Sequence, residues 1–231
     1  MNCVKLSWAL ARQYEPAPAG EDLNAPFVRL AYVTGFERMA EIAEQQLRAT
    51  LEAHGCKMDE AWDIITLQQS SHDSGLPETY ARQGEVTDYV HTHKRNPDGV
   101  MYWHMTWAYQ QDIDHWAFPR YGCDQAAVYN ALLHAVRSEI LTNPAYGGII
   151  PTGIAIQSLR ATPVGDTVTR DGFHMSESHG RYAAALTWAQ TLCGVDPDTV
   201  DWMPEAFADV IRPDLGYIRE AVKAAGNVSL V

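Results

Sequence analysis

The sequence predicts an α/β protein, a three-layer sandwich with a mainly parallel sheet between helices, and two observations carry that prediction. Short apolar, β-branched or aromatic runs at 62–68, 100–109 and 148–153 alternate with stretches of helical periodicity. Strands that alternate with helices form parallel sheets, because each parallel crossover needs a helix-length connection. The size of the chain agrees: 231 residues, 46% hydrophobic, with seven Trp and eleven Tyr, can build the core of one such domain but not two.

Residues 1–35 are expected to be irregular, since QYEPAPAGEDLNAPF at 13–27 holds three prolines. The domain is expected over 36–231. Its first helix is predicted from Phe36 to His54, where Met39, Ile42, Ala43, Leu47 and Leu51 recur on one face before Gly55. Trp62–Gln68 (WDIITLQ) reads as a buried strand that ends in the polar loop QSSHDSG. Residues 83–99 are polar and close in the turn Asn96-Pro97-Asp98-Gly99. Val100–Tyr109 (VMYWHMTWAY) reads as a second strand.

Beyond it, Val128, Leu132, Ala135, Val136 and Ile140 give Ala126–Leu141 a helical stripe that Asn143-Pro144 ends. A third strand, Gly148–Gly153, leads into Ile154–Ala161. The next helix begins near Ser176 as N-cap, runs through Tyr182, Ala183, Leu186, Ala189 and Leu192, and stops at Gly194. A weaker helix covers Leu215–Ala225. In a parallel sheet the ligand crevice lies at the carboxyl ends of the strands, so the loops after Gln68, Tyr109 and Gly153 are expected to converge there.

Composition narrows the function. Seventeen Lys and Arg against 29 Asp and Glu leave a net charge of −12, and the basic residues are scattered. Nucleic acid and a polybasic membrane anchor are therefore not expected as partners. There is no run of roughly 18 apolar residues for a membrane span, and the amino terminus does not read as a leader, so a cytoplasmic protein is expected, secretion staying open if the amino terminus is incomplete. Cys3, Cys56, Cys123 and Cys193 lie far apart without a metal-type spacing. They read as partly buried thiols rather than a disulfide framework.

The chemistry concentrates at Asp171-Gly-Phe-His174. An Asp three residues before a His on a loop can accept a hydrogen bond from one ring nitrogen and leave the other as a base toward a hydroxyl. A structural Asp–His pair beside a helix is the alternative for the motif alone. Around it, DGFHMSESHGRYAAALTWAQTLCG resembles the closing block of SGNH (GDSL-like) hydrolases. WDIITLQQSS at 62–71, TWAY at 106–109 and IIPTGIAIQSLR at 149–160 resemble an SGNH branch related to carbohydrate esterases, in the expected order. The resemblance spans 62–194. It implies an SGNH/flavodoxin-like fold and an acyl ester hydrolase that removes O-acyl groups from a carbohydrate without a cofactor. It further implies that His174 is the base, Asp171 its orienter, and Gln68 or Gln69 an oxyanion donor.

The sequence departs from that family in one respect. The Gly-Asp-Ser or Gly-Asn-Ser turn that carries the nucleophile is not found; the first sixty residues hold only Ser7, in Lys-Leu-Ser-Trp. The first strand and the nucleophile are therefore expected to be missing, through a truncated start or in a catalytically silent relative that binds carbohydrate or serves structure. Very slow turnover of p-nitrophenyl acetate and no labelling by a fluorophosphonate follow. Ser70, Ser71 and Ser74 read as loop hydroxyls, with Ser71 a substrate-binding candidate. Trp107 and Tyr109 are candidates to flank a sugar ring and Arg160 to orient an acylated sugar, while Trp103 reads as core and Trp116 completes the aromatic cluster. His91-Thr-His93, placed on a strand, together with His72, His104 and His115 raises a metal site, but the third ligand has no recognisable spacing and none is expected. His179 reads as a surface or capping residue. An exposed strand edge would make an oligomer compatible with the sequence.

Overall fold

The structure is a computed structural model that describes residues 61–228. The helix expected over Phe36–His54, the irregular segment 1–35, Ser7, Cys3 and Cys56 lie outside the described residues. Those described fall into two compact units, 61–65 with 88–100, and 66–87 with 101–228.

In the first unit the Asn96-Pro97-Asp98-Gly99 turn forms as its residues predict. The Asn96 side chain accepts from the Asp98 N–H at 3.0 Å and donates to Asp63 at 3.1 Å, and the Val100 N–H donates to the Asp63 carbonyl at 2.9 Å. An Asn side chain that closes its own turn in this way lets the chain reverse without leaving backbone groups unpaired.

The protein is mixed α/β, with an open three-stranded sheet in the order β1 (Ile64–Leu67), β2 (Val100–His104), β3 (Tyr146–Ile150). Strands β2 and β3 are parallel, Trp103 opposite Ile149 and His104 opposite Ile150. The helices are α1 (Gln83–His93), α2 (Gln125–Ala135), α3 (Thr152–Arg160), α4 (His179–Cys193) and α5 (Leu215–Asn227). The last three pack against one another. Their apolar stripes close a core that includes Ile154, Ile156, Leu159, Leu186, Ile218 and Val222. Burial of that kind contributes about 25 cal/mol per Å² of apolar surface and supplies most of the drive to fold.

Local signals explain the element ends. The Asp124 carboxylate accepts from the Ala126 and Ala127 N–H groups at 2.7 and 3.3 Å and starts α2. Helix α2 continues into a π turn over Val136–Ile140, which carries the predicted stripe to its end. Gly194 ends α4 in the left-handed conformation at φ +64°.

Five expectations are corrected. Residues 83–93 form a helix, with Val86, Tyr89 and Val90 at helical spacing on its less exposed side, so His91 and His93 lie on a helix, not a strand. There, positions i and i+2 point to opposite sides, and the two imidazoles cannot share a ligand; His93 instead binds the Tyr89 carbonyl at 2.8 Å. Strand β2 stops at His104, and 105–117 form an irregular segment. Residues from Thr152 are helical, so β3 ends in a helix and not a polar loop. Helix α4 begins at His179; Ser176 sits before it and its hydroxyl oxygen accepts from the Gly180 N–H at 3.0 Å. Cys123 and Cys193 are exposed rather than partly buried. Among the described residues no helix is long and apolar enough to cross a membrane.

Candidate active site

Asp171 and His174 stand at the tip of a tight hairpin. Thr169 pairs with Met175, Arg170 N–H donates to the His174 carbonyl at 2.9 Å, and Ser176 N–H to the Val168 carbonyl at 2.8 Å. The reversal between them needs Gly172, whose φ is +91° and whose missing Cβ would lie 2.6 Å from the Ile113 side chain. Only glycine meets both demands. The segment after β2 anchors the tip: Gln110 N–H donates to the Gly172 carbonyl at 2.7 Å, Trp107 Nε1–H to the Phe173 carbonyl at 2.6 Å, and Thr169 Oγ1 to Gln110 Oε1 at 2.8 Å.

Within the tip, His174 Nδ1 lies 2.6 Å from Asp171 Oδ2. Asp171 Oδ1 accepts from the His174 and Phe173 N–H groups at 2.8 and 3.2 Å. Burial pushes the Asp171 carboxyl up, but the ring and the two backbone donors outweigh it and hold the group below the ordinary carboxylate range. An ionised Asp171 accepts from Nδ1–H, which leaves the lone pair on Nε2. That nitrogen has no hydrogen-bond partner among the described residues, and the side chain is 30% exposed. The ring of Phe173 lies against it, centroids 4.0 Å apart. Asp171 thus fixes the orientation of a part-exposed imidazole.

Next to it are aromatic and imidazole rings from the segment after β2. His115 lies 5.1 Å from Phe173 and 4.7 Å from Tyr109, centroid to centroid. His115 Nδ1 accepts from the Ala117 N–H at 3.2 Å. Burial first, then the neighbouring His72 and His174 imidazoles, resist a positive charge there and lower its pKa. Trp116 is 56% exposed, 5.7 Å from His115 and 5.1 Å from His72. The Arg120 guanidinium lies 4.8 Å above its ring. Arg120 in turn pairs with Asp73 at 3.3 Å.

The other sequence candidates are occupied otherwise. Gln68 Oε1 lies 2.8 Å from His104 Nδ1, and Thr152 Oγ1 2.9 Å from His104 Nε2. His104 is thereby a satisfied interior imidazole that ties β2 to the start of α3, and burial lowers its pKa to about 4. The amide NH2 of Gln69 donates to the Thr79 carbonyl and hydroxyl at 3.3 Å each, and its oxygen accepts from Ser70 N–H. Gln69 thus holds the loop after β1. Gln68 keeps an NH2 group without a partner among the described residues.

Tyr109 is 1% exposed and cannot offer a ring face to a sugar. Burial pushes its hydroxyl up to about 12, and the group is directed at Ser71 without a well-aligned hydrogen bond. Trp107 is half-buried, its indole N–H spent on the hairpin. Arg160, offered as a surface ligand, has a side chain only 3% exposed; it holds the Ala108 carbonyl at 2.9 Å and meets Asp166 at 2.7 Å. Ser70 Oγ stands 3.5 Å from His72 Nε2 and from Asp73 Oδ2, and Ser74 Oγ donates to the Ser71 carbonyl. No serine hydroxyl reaches His174 Nε2 among the described residues.

Sequence reasoning missed two arrangements. His179 is buried, with Nε2 2.9 Å from Asp214 Oδ2, and ties α4 to the start of α5. A partner 35 positions away leaves no mark in the local sequence. Trp116 was grouped with its neighbours as an aromatic cluster, and nothing in the spacing distinguishes the exposed ring from the buried ones. Among the described residues no three His, Cys, Asp or Glu side chains are grouped to hold a metal.

A family model described as "Domain of unknown function (DUF4886)" matches residues 48–211, which include Asp171 and His174. The chain belongs to the DUF4886 family. It is similar to a DUF4886 family protein from Bacteroides uniformis ATCC 8492 whose crystal structure is known: 32% identity, a TM-score of 0.64, and coverage of 73% of this chain and 62% of that one. The match therefore spans less than two thirds of that relative. No curated protein matches the chain.

Proposed function

We propose that this DUF4886 protein is an acyl ester hydrolase of SGNH type, acting on O-acyl groups of a carbohydrate. The observation that supports the reading is the part-exposed His174 ring, held through Nδ1 by an ionised Asp171 with Nε2 left without a hydrogen-bond partner among the described residues. As general base, Nε2 takes a proton from the attacking hydroxyl or water while the new C–O bond forms at the acyl carbon. It returns that proton to the sugar oxygen as the ester bond breaks. Asp171 fixes the tautomer and stabilises the imidazolium between the two transfers. The NH2 of Gln68 is the remaining candidate for an amide donor to the oxyanion. No cofactor enters this chemistry. A cytoplasmic location goes with the reading as part of the proposal, supported by scattered cysteines without paired spacing.

The experiment measures release of acetate from O-acetylated xylohexaose and of nitrophenol from p-nitrophenyl acetate. Slow turnover that falls at least about a hundredfold in His174→Ala, the lower end of a general base's contribution, is the expected result. Turnover equal in wild type and His174→Ala would sink the proposal. A fluorophosphonate probe should leave the chain unlabelled. Labelling of one serine that disappears in His174→Ala would overturn the expectation of a missing nucleophile.

One observation favours a second reading, a non-catalytic carbohydrate-binding relative: no described serine reaches His174, and the amide of Gln69 is committed to its own loop. Binding of the hexaose without any His174-dependent turnover would select it.

A further inference from the structure

We propose that Trp116 is a sugar-stacking platform beside the His174 base, built to take a pyranose with equatorial hydroxyls. The substrate class rests on the ester-hydrolase reading; the platform itself rests on the geometry. Of the aromatic rings in this segment, Tyr109 and Phe118 are buried and Trp107 is half-buried with its N–H spent on the hairpin, whereas Trp116 is 56% exposed. A large indole left this open costs hydration free energy unless something covers it.

What surrounds the ring fits a carbohydrate rather than a wholly apolar partner. Arg120 lies over one face and fixes the indole, which orients the side chain before a ligand arrives. Asp73 pairs with Arg120 at 3.3 Å, and the His72 imidazole lies 5.1 Å from the indole. The guanidinium, backed by Asp73, covers that face, and the imidazole lies beside the ring, so polar groups adjoin the apolar surface that the indole presents. A pyranose whose hydroxyls are all equatorial has the complementary form: axial C–H groups make each face apolar, and the hydroxyls radiate from its edge toward such donors and acceptors. An uncharged ring also suits a protein of net charge −12 better than an acidic sugar does.

The placement links the platform to the chemistry. Trp116 touches His115, His115 touches Phe173, and Phe173 touches His174, at centroid separations of 5.7, 5.1 and 4.0 Å. A sugar stacked on Trp116 would extend along this row of rings and carry an acyl group on a neighbouring unit toward Nε2.

The test is titration of the full chain with xylohexaose, plain and O-acetylated, followed by tryptophan fluorescence and calorimetry. Saturable binding is expected, weakened at least tenfold in Trp116→Ala, partly restored in Trp116→Phe, and unchanged in His174→Ala. In kinetics, Trp116→Ala should raise KM for the acetylated hexaose at least tenfold and change kcat much less. No binding by wild type, or equal binding by Trp116→Ala, overturns the platform. Trp116-dependent binding without His174-dependent turnover upholds the platform while removing the hydrolase reading. The exposed position of Trp116 lets the variants fold, and a thermal transition matching wild type verifies that.

Discussion

Acid should weaken the fold through His104, and the size of the effect follows from where that ring sits. The imidazole is 9% exposed and spends both nitrogens, one on Gln68 and one on Thr152. Its pKa falls from 6.5 to about 4, through burial. A proton on the second nitrogen would end its acceptor role toward the Thr152 hydroxyl and place a charge in the interior. The unfolded chain takes up that proton near pH 6.5 while the native protein does not. The stabilisation is therefore complete above pH 6.5 and is lost as pH falls toward 4. Linkage between the two values gives about 2 kcal/mol lost by pH 5 and about 3 kcal/mol in full. The assay is urea denaturation at pH 7.5, 6 and 5 of wild type and His104→Gln, which keeps polar groups but cannot titrate. The stability difference between the two should narrow by about 2 kcal/mol between pH 7.5 and 5, other histidines cancelling in the comparison. A difference constant across that range would refute the assignment of His104 as a buried neutral imidazole.

Three further outcomes are expected. Gly172→Ala should destabilise by about 1–3 kcal/mol, since the new methyl meets Ile113 at a backbone angle that L residues resist, and His174-dependent activity should fall with it. Asp171→Asn should release the imidazole tautomer, seen as mixed Nδ1 and Nε2 protonation by nitrogen NMR; and because the Asp171 pKa is lowered in the fold, the stability it gives is present above the ordinary carboxylate range and lost as pH drops through the depressed value. Asp166→Ala should cost about 3 kcal/mol by leaving the buried Arg160 guanidinium without its counter-charge, read as a lower urea midpoint with unchanged slope.

The sequence by itself determined what depends on neighbours along the chain. The strand at 64–67, the stripes of α2 and α4, the Gly194 stop and the Asn96–Gly99 turn follow from residue type and period. The Asp171–His174 pair is equally local: the carboxylate reaches a ring three residues away, so the motif contains its own geometry. The helix over 83–93 left only a short mark: Val86, Tyr89 and Val90 fall at helical spacing, but the residues around them are polar, and so brief a stripe did not stand out. Tertiary structure alone decided which side chains are spent on the interior. Gln68 meets His104 across 36 positions and Thr152 meets it across 48, Arg160 turns inward to Asp166, and Tyr109 is sealed while Trp116 stays in solvent. Burial is a property of what packs on a residue from elsewhere in the chain, and a one-dimensional pattern records only what stands beside it.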